Sequence, residues 1–522
     1  MKLRNIVYAV TCVFLLASCS DSFLNHDPQN GTLLEDQYAN MDDALEGSAR
    51  AIYSVLYEYG GDHDDFGQRS LDMYGDLTSG DMAMKSAGYG WFETDERGLS
   101  YAYRAASTWF YYYRIIRLCN STISAIDKVG IPALPADRDE LTKGYYYGEM
   151  LAMRGWAYAG LMRYFVAPSD LITDMKTEPA IPLYTEVEFA DRDLLGARRT
   201  TVDTVYAQIE EDLKTAIDYL DAYEKAGAVR GSKLEVNADV ARLILAYAYI
   251  NKGGKESYDK AFDLAKEVIE AGNFTILPNA KLLTTGFSDV SESSWMWGEN
   301  VTVENSTALG SFFGQVDVHT YSYAAAGDYK GIDENLYNEI DRMGWDGRVG
   351  WFNKSRGYCP EGKFYNVSTK NTYDLNKVDR NWLCDNVFMR IESAYLIAAE
   401  AALYKTTPDL AAARDYLDAI MSQRLIDKSD AQDLYDDYKA TLTSADALTD
   451  ALIYNWRVEL WGEGYAMQTV RRLTHTQTLG NNHMRSNKTV DYATIQFTWR
   501  IPSSETRYNP WIADDELTKA EQ

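Results

Sequence analysis

The chain has 522 residues, 78 acids against 51 bases, and a formal net charge of −27. That balance lacks the basic footprint that nucleic acid or heparin-like chains require, so polyanions are excluded as partners, and a neutral or cationic ligand suits it better. Part of the charge serves the solubility of a displayed protein, and the length admits one large domain or two or three average ones.

The N-terminus reads as an address. Lys2 and Arg4 precede an apolar stretch from Ile6 to Ala17, and Leu16-Ala17-Ser18-Cys19 then gives way to polar sequence. A basic start, a short apolar core and small residues before a cysteine describe a lipoprotein signal, and the core is too short to span a bilayer. The expectation is cleavage after Ser18 and lipidation of Cys19. Each buried acyl CH₂ contributes about 0.8 kcal/mol, so the anchor keeps the mature chain on a membrane. Residues 1–18 are read as the signal, 19–38 as a lipid-anchored tether and 39–522 as a single folded domain.

Five cysteines are present, but Cys12 leaves with the signal and Cys19 is consumed by lipid. Cys119, Cys359 and Cys384 contain no CxxC motif, so neither a disulfide scaffold nor a thiolate metal site is expected. A Cys359–Cys384 bridge and buried free thiols both stay open.

Beyond the tether the periodicity is mostly helical. Helices are predicted near 38–58 and 101–128. Residues 144–166 carry Tyr147, Leu151, Tyr158, Leu161 and Phe165 on one face before Pro168, and residues 202–221 repeat the pattern behind a Thr200-Thr201 cap. A second pair spans 237–251 and 258–271 around Gly253-Gly254, and a third spans 390–404 and 410–424 around Pro408. A further helix is expected at 446–466. Pairs of this kind, with small residues on the contact face, resemble tetratricopeptide repeats, in which each hairpin buries its face by stacking on the next.

Three stretches lack this periodicity: 60–98, 283–329 and 345–382. Loops of such length are usually functional. The first holds Tyr89, Trp91 and Phe92, flanked by Asp76 and Asp81; the glycines on both sides of Tyr89 argue for an exposed turn. In the second, Trp295 and Trp297 alternate about Met296 as a strand would, a face read either as core or as ligand contact. Asn305, Tyr321 and Tyr323 follow. Exposed rings beside Asp and Asn groups can together line a ligand site, so Tyr89, Trp91, Asp76, Asn305, Tyr321, Tyr323 and Trp297 are the candidate ligand contacts. Asp62-His63-Asp64-Asp65 lacks calcium-loop spacing and reads as a solvated acidic turn. No HExxH, Gly-x-Ser-x-Gly or phosphate loop occurs, so no metal, cofactor or catalytic residue is predicted.

Several segments, in order, resemble the RagB/SusD family of surface lipoproteins. They are Cys19-Ser20-Asp21-Ser22-Phe23-Leu24 with Pro28; Met153-Arg154-Gly155-Trp156-Ala157-Tyr158 with Ile181-Pro182-Leu183; Asp346-Gly347-Arg348; and Arg390-Ile391-Glu392 running on to Glu400-Ala401. Arg457-Val458-Glu459-Leu460-Trp461-Gly462-Glu463-Gly464, Arg471-Arg472-Leu473, Ile501-Pro502 and Asn509-Pro510 close the pattern. Val166 stands where a glycine is common, Asn455 where an acid is common, and the ending is shortened. The resemblance implies a mainly α fold, a tetratricopeptide-like superhelix of helical hairpins with long loops and a few short strands carrying the ligand site. It implies a non-enzymatic, outer-membrane glycan-binding lipoprotein on the extracellular face that hands oligosaccharides to a SusC-like TonB-dependent transporter. A peptide-binding or structural lid is the alternative, and a glycoside hydrolase a more distant one.

Overall fold

The computed structural model describes residues 41–58, 60–98, 102–185, 196–228, 232–319, 322–364, 382–485, 488–493 and 497–513. Cys19, the tether and Tyr321 lie outside the described residues. Numbering helices of ten residues or more, the chain runs through α1 (Asp42–Val55), α2 (Gln68–Ser79), α3 (Ala102–Val129), α4 (Leu141–Phe165), α5 (Val202–Ala226), α6 (Ala238–Lys252), α7 (Lys255–Ala271), α8 (Glu334–Met343), α9 (Ile391–Tyr404), α10 (Leu410–Met421), α11 (Ala431–Thr441) and α12 (Ala445–Glu459). The fold is mainly α, with tetratricopeptide-like hairpins: α3 packs on α4, α4 on α5, α6 on α7, α7 on α9 and α9 on α10.

Local sequence explains where these helices begin and how closely they meet. Thr201 Oγ1 accepts the Thr204 amide at 3.3 Å, Asn237 Oδ1 that of Val240 at 2.9 Å and Asp409 Oδ1 that of Ala412 at 3.0 Å, each cap contributing about 1 kcal/mol. Helix α4 sits between two partners and is small-faced toward both. A Cβ on Gly155 would lie 2.9 Å from Leu213 Cγ in α5, and one on Gly160 would lie 2.3 Å from the Tyr112 ring in α3. Arg154 pins the three helices together: Nε and Nη2 donate to Asp212 at 2.8 and 2.6 Å, and Nη1 to Asn120 Oδ1 at 2.9 Å. This bidentate fork is a structural clamp.

The strands are short: β1 (Met82–Ala83), β2 (Pro179–Pro182), β3 (Arg199–Thr201), β4 (Trp295–Glu299), β5 (Gly331–Ile332), β6 (Phe352–Asn353), β7 (Cys359–Pro360), β8 (Asn386–Arg390), β9 (Thr476–Thr478) and β10 (Thr489–Asp491). They form two-stranded antiparallel ribbons, β1–β5, β2–β3, β4–β8, β6–β7 and β9–β10. Strand β1 paired with β5 joins the first loop region to residues 331–332.

An ionic centre lies where α9, α10 and α12 converge. Glu459 Oε1 accepts from Arg424 Nη2 at 2.8 Å and Arg390 Nη1 at 3.3 Å, while its Oε2 accepts from Arg424 Nε at 2.9 Å and Arg348 Nη1 at 3.3 Å. Arg348 also binds Asp346, Arg390 and Arg424 bind Glu392, and Glu463 binds both Arg390 and Lys363. All eight side chains are no more than 2% exposed, four cations against four anions. Burial pushes the Glu459 carboxyl up, but Arg424, Arg390 and Arg348 outweigh it and hold the group well below the usual carboxylate range.

Two expectations need correction. The stretch 60–98 is not a continuous loop: α2 crosses it, with every residue from Gln68 to Ser79 buried. Leu71, Tyr74 and Leu77 do recur at helical spacing, but the interleaved Asp72, Gly75 and Asp76 read as loop, whereas the fold encloses α2 on all sides. The stretch 283–329 likewise contains the short helix Phe312–Val316, and α8 follows it before the third stretch begins. Of the two cysteine readings left open, the structure has the free thiol: Cys359 is free and buried, and the 359–384 bridge is not formed.

Candidate functional site

Aromatic rings from two distant parts of the chain meet beside the β1–β5 ribbon. The Tyr89 ring lies 5.1 Å from Tyr323 at 69°, Trp91 lies 6.3 Å from Tyr323, and His63 lies 5.6 Å from Trp91 and 5.7 Å from Tyr323. His63 Nδ1 and the Tyr323 hydroxyl are hydrogen-bonded. Tyr323 is 8% exposed and Trp91 half-buried, whereas Tyr89 is 54% exposed. The cluster therefore grades from a seated ring to a presented one.

The backbone beneath is firmly placed. The Asp328 carboxylate accepts the amides of Gly88 at 2.7 Å and Tyr89 at 2.9 Å, and Ser86 donates to Gly327 O at 3.0 Å. Gly90 has φ +80°, a conformation in which glycine carries no Cβ penalty. Phe92, with φ +61°, turns inward and is fully buried against Phe66 and Tyr74. Arg104 ion-pairs with Asp64 and with Asp95, whose carboxyl burial pushes up to about 6 despite the guanidinium. Asp64 is thus tied down, and the acidic turn is not wholly solvated as expected. On the far side, the Gln315 side chain donates to His63 O at 2.6 Å and Tyr323 N to Gly314 O at 3.0 Å, locking the two loops through Phe312–Val316.

Lys330 lies under this platform, fully buried, 5.8 Å from the Phe92 ring and with a long hydrogen bond, 3.4 Å, to Asp328 O. Burial lowers its ammonium to about 8.

Of the predicted contacts, Tyr89, Trp91 and Tyr323 come together. Asn305 does not join them: its Oδ1 accepts the Thr302 amide at 2.6 Å and its Nδ2 donates to Asn300 O at 3.0 Å, closing its own turn. Asp76 is withdrawn altogether. It is fully buried in α2, and burial, with Asp72 and Asp81 nearby, pushes its carboxyl well above the usual range, so it is a core group with no access to an external ligand. Trp297 is 1% exposed and packs edge-on against Tyr53, Trp156 and Phe388, which settles its face as interior. His63 escaped the sequence reading because its acidic neighbours dominate the local pattern and its ring partners lie far along the chain. Asp346 and Arg348 are the buried ion pair of the ionic centre, 2.6 Å apart.

Helical hairpins enclosing a buried ionic centre, with loops presenting an aromatic patch, define a helical-repeat scaffold carrying a loop-borne aromatic face. Comparison with known proteins places it further. A family model described as starch-binding associating with outer membrane matches residues 23–245, and one for the SusD family matches residues 304–520. The chain belongs to the RagB/SusD family. A SusD-like protein of Bacteroides ovatus is 25% identical over 285 residues, 53% of this chain and 46% of that one, so the match takes in about half the length of this curated relative. A SusD-like carbohydrate binding protein of Bacteroides vulgatus superposes with a TM-score of 0.70 at 20% identity, covering 90% of this chain and 97% of its own. A SusD superfamily protein of Bacteroides thetaiotaomicron gives 0.69 at 20%, with 90% and 98% covered. A structure with xylogluco-oligosaccharide gives 0.61 at 15%, with 90% and 98% covered. At these identities the superpositions speak for the fold. Among the described residues no helix is long and apolar enough to cross a membrane.

Proposed function

We propose that this protein is a surface glycan-binding lipoprotein, anchored through Cys19 on the extracellular face of the outer membrane, which captures oligosaccharides and delivers them to a SusC-like TonB-dependent transporter. The observation that carries the reading is the cluster of Tyr89, Trp91, Tyr323 and His63, graded from seated to exposed on a backbone held by Asp328. A presented ring that is rigid before binding loses little entropy on contact, and the flat apolar face of a sugar is its natural complement. The net charge of −27 suits a neutral glycan. The family's match to a model described as starch-binding, and a fold neighbour solved with xylogluco-oligosaccharide, support the same ligand class.

A glycan array followed by affinity gels tests it. Trp91→Ala is expected to weaken retention at least about tenfold, the scale of losing a well-packed aromatic hot spot, and Tyr89→Ala less. Unchanged migration of both variants would overturn the site, and new reducing ends after incubation with glycan would overturn the non-enzymatic reading. Cys19→Ala is expected to leave binding in solution intact while lowering uptake in the cell.

A further inference from the structure

His483 sits between β9 and β10, and both of its ring nitrogens face carboxylates: Nδ1 lies 2.9 Å from Glu96 Oε1, and Nε2 lies 3.1 Å from Asp333 Oδ2. The three side chains are no more than 1% exposed. A carboxylate oxygen only accepts, so both nitrogens donate, and a ring that donates twice is an imidazolium. Burial works against that charge, and the hydrogen bonds to Asp333 and Glu96 overcome it.

The two acids belong to the two chain segments that build the aromatic patch. Glu96 ends the short helix Glu93–Glu96, which follows Trp91 and Phe92; its amide donates to Phe92 O at 3.0 Å, and its Oε2 accepts the Met84 amide at 3.2 Å. Asp333 follows β5, downstream of Tyr323 and Asp328. Its amide donates to Asp81 O at 2.9 Å, and its carboxylate accepts the Leu336 amide at 2.9 Å, capping α8, and the Gly480 amide at 2.6 Å. Around the ring, Arg485 donates to Glu96 O, Lys488 Nζ donates to His483 O at 3.0 Å, Arg457 pairs with Asp81, and Glu334 accepts the Asn481 amide at 3.0 Å. The two guanidinium groups keep their charge as pH changes.

We infer that His483 is a positioning residue for the aromatic patch, an imidazolium staple that holds the Trp91 and Tyr323 segments together and releases one of them when the ring loses its proton. A neutral imidazole carries one N–H. As pH rises, one buried carboxylate therefore loses its donor, and the tie between the segments is left to the β1–β5 ribbon and the loop hydrogen bonds. The consequence for a glycan rests on the proposed function; the staple itself does not.

Hydrogen exchange of the mature protein, corrected for the intrinsic rate at each pH, tests it beside an NMR titration of the His483 ring. The ring is expected to titrate above pH 6.5, and protection of residues 84–98 and 322–336 to fall about tenfold as it does, the scale of one hydrogen bond. His483→Gln, which takes up no proton, is expected to lose this response, and Lys330→Met to keep it, although Lys330 titrates nearby at about 8. Affinity-gel retention of a glycan selected on the array is expected to weaken over the same span. A ring that titrates below pH 6.5, or wild-type protection that stays level through the titration, would each overturn the staple without any substituted protein. A response that His483→Gln retains, or that Lys330→Met removes, would overturn it too. Retention that holds while protection falls would overturn the link to the glycan site, whereas no retention at any pH beside a normal fall in protection would count against the glycan reading alone.

Discussion

The ionic centre and the aromatic patch are built on opposite terms. At the centre, four cations and four anions are no more than 2% exposed and pair with one another, so the region specifies how α9, α10 and α12 meet. At the patch, one carboxylate, Asp328, holds a turn and the rings stand out of it. Three of the motifs that carry the family resemblance, Asp346-Gly347-Arg348, Arg390-Ile391-Glu392 and Arg457 to Gly464, fall in or beside the first region, and Arg154 of another clamps α3, α4 and α5, whereas the proposed ligand contacts fall in the second. A family resemblance resting on those motifs therefore speaks to the frame and is nearly silent about what is bound.

The sharpest break of this comparison is Glu459→Ala. It leaves Arg348, Arg390 and Arg424 without their shared anion, and breaking a buried pair costs about 3–5 kcal/mol; urea denaturation should show a loss of that size, with the chain bordering on unfolded. A smaller loss would mean that the centre is less interdependent than its geometry. Next comes Lys330→Met, with the opposite sign. The folded ammonium titrates at about 8 instead of 10.5, so between these values the unfolded chain holds more protons and stability rises with pH; below pH 8 the buried charge costs its full penalty. The substitution should stabilise the protein by about 3 kcal/mol at neutral pH and remove the Lys330 share of the rise between pH 8 and 10.5. An unchanged slope would show that the lysine is solvated.

Asp328→Ala should cost about 1.5–3 kcal/mol, the range for hydrogen bonds to a charged group, and weaken glycan retention as the Tyr89 turn loosens. Retention that holds while stability falls would separate the turn from the site. The smallest effect is at His483, fully buried between Glu96 at 2.9 Å and Asp333 at 3.1 Å. Burial opposes its charge, but the hydrogen bonds to Asp333 and Glu96 prevail and raise its pKa above 6.5. Its contribution to stability is then full below pH 6.5 and is lost as pH rises through the folded value. His483→Gln should flatten that decline in thermal melts recorded from pH 6 upward.

Sequence by itself determined the helical hairpins, because apolar spacing, Thr201, Asn237 and Asp409 caps and the Gly253-Gly254 turn act within a few residues. It also made Tyr89 legible as a presented ring, since glycines on either side are a local signal. Other features needed the folded chain. Helix α2 buries Asp72 and Asp76 as well as its apolar residues, and the same sequence that suggested Asp76 as a ligand group gave no sign of its enclosure. The pairing of His63 with Tyr323 spans 260 residues, and the sharing of Glu459 by three arginines depends on segments that meet after folding. The division has a physical cause. Caps, turns and amphipathic stripes are set by neighbours along the chain, whereas burial of a charge, closure of a cavity and the gathering of rings are decided by whatever the tertiary structure brings alongside.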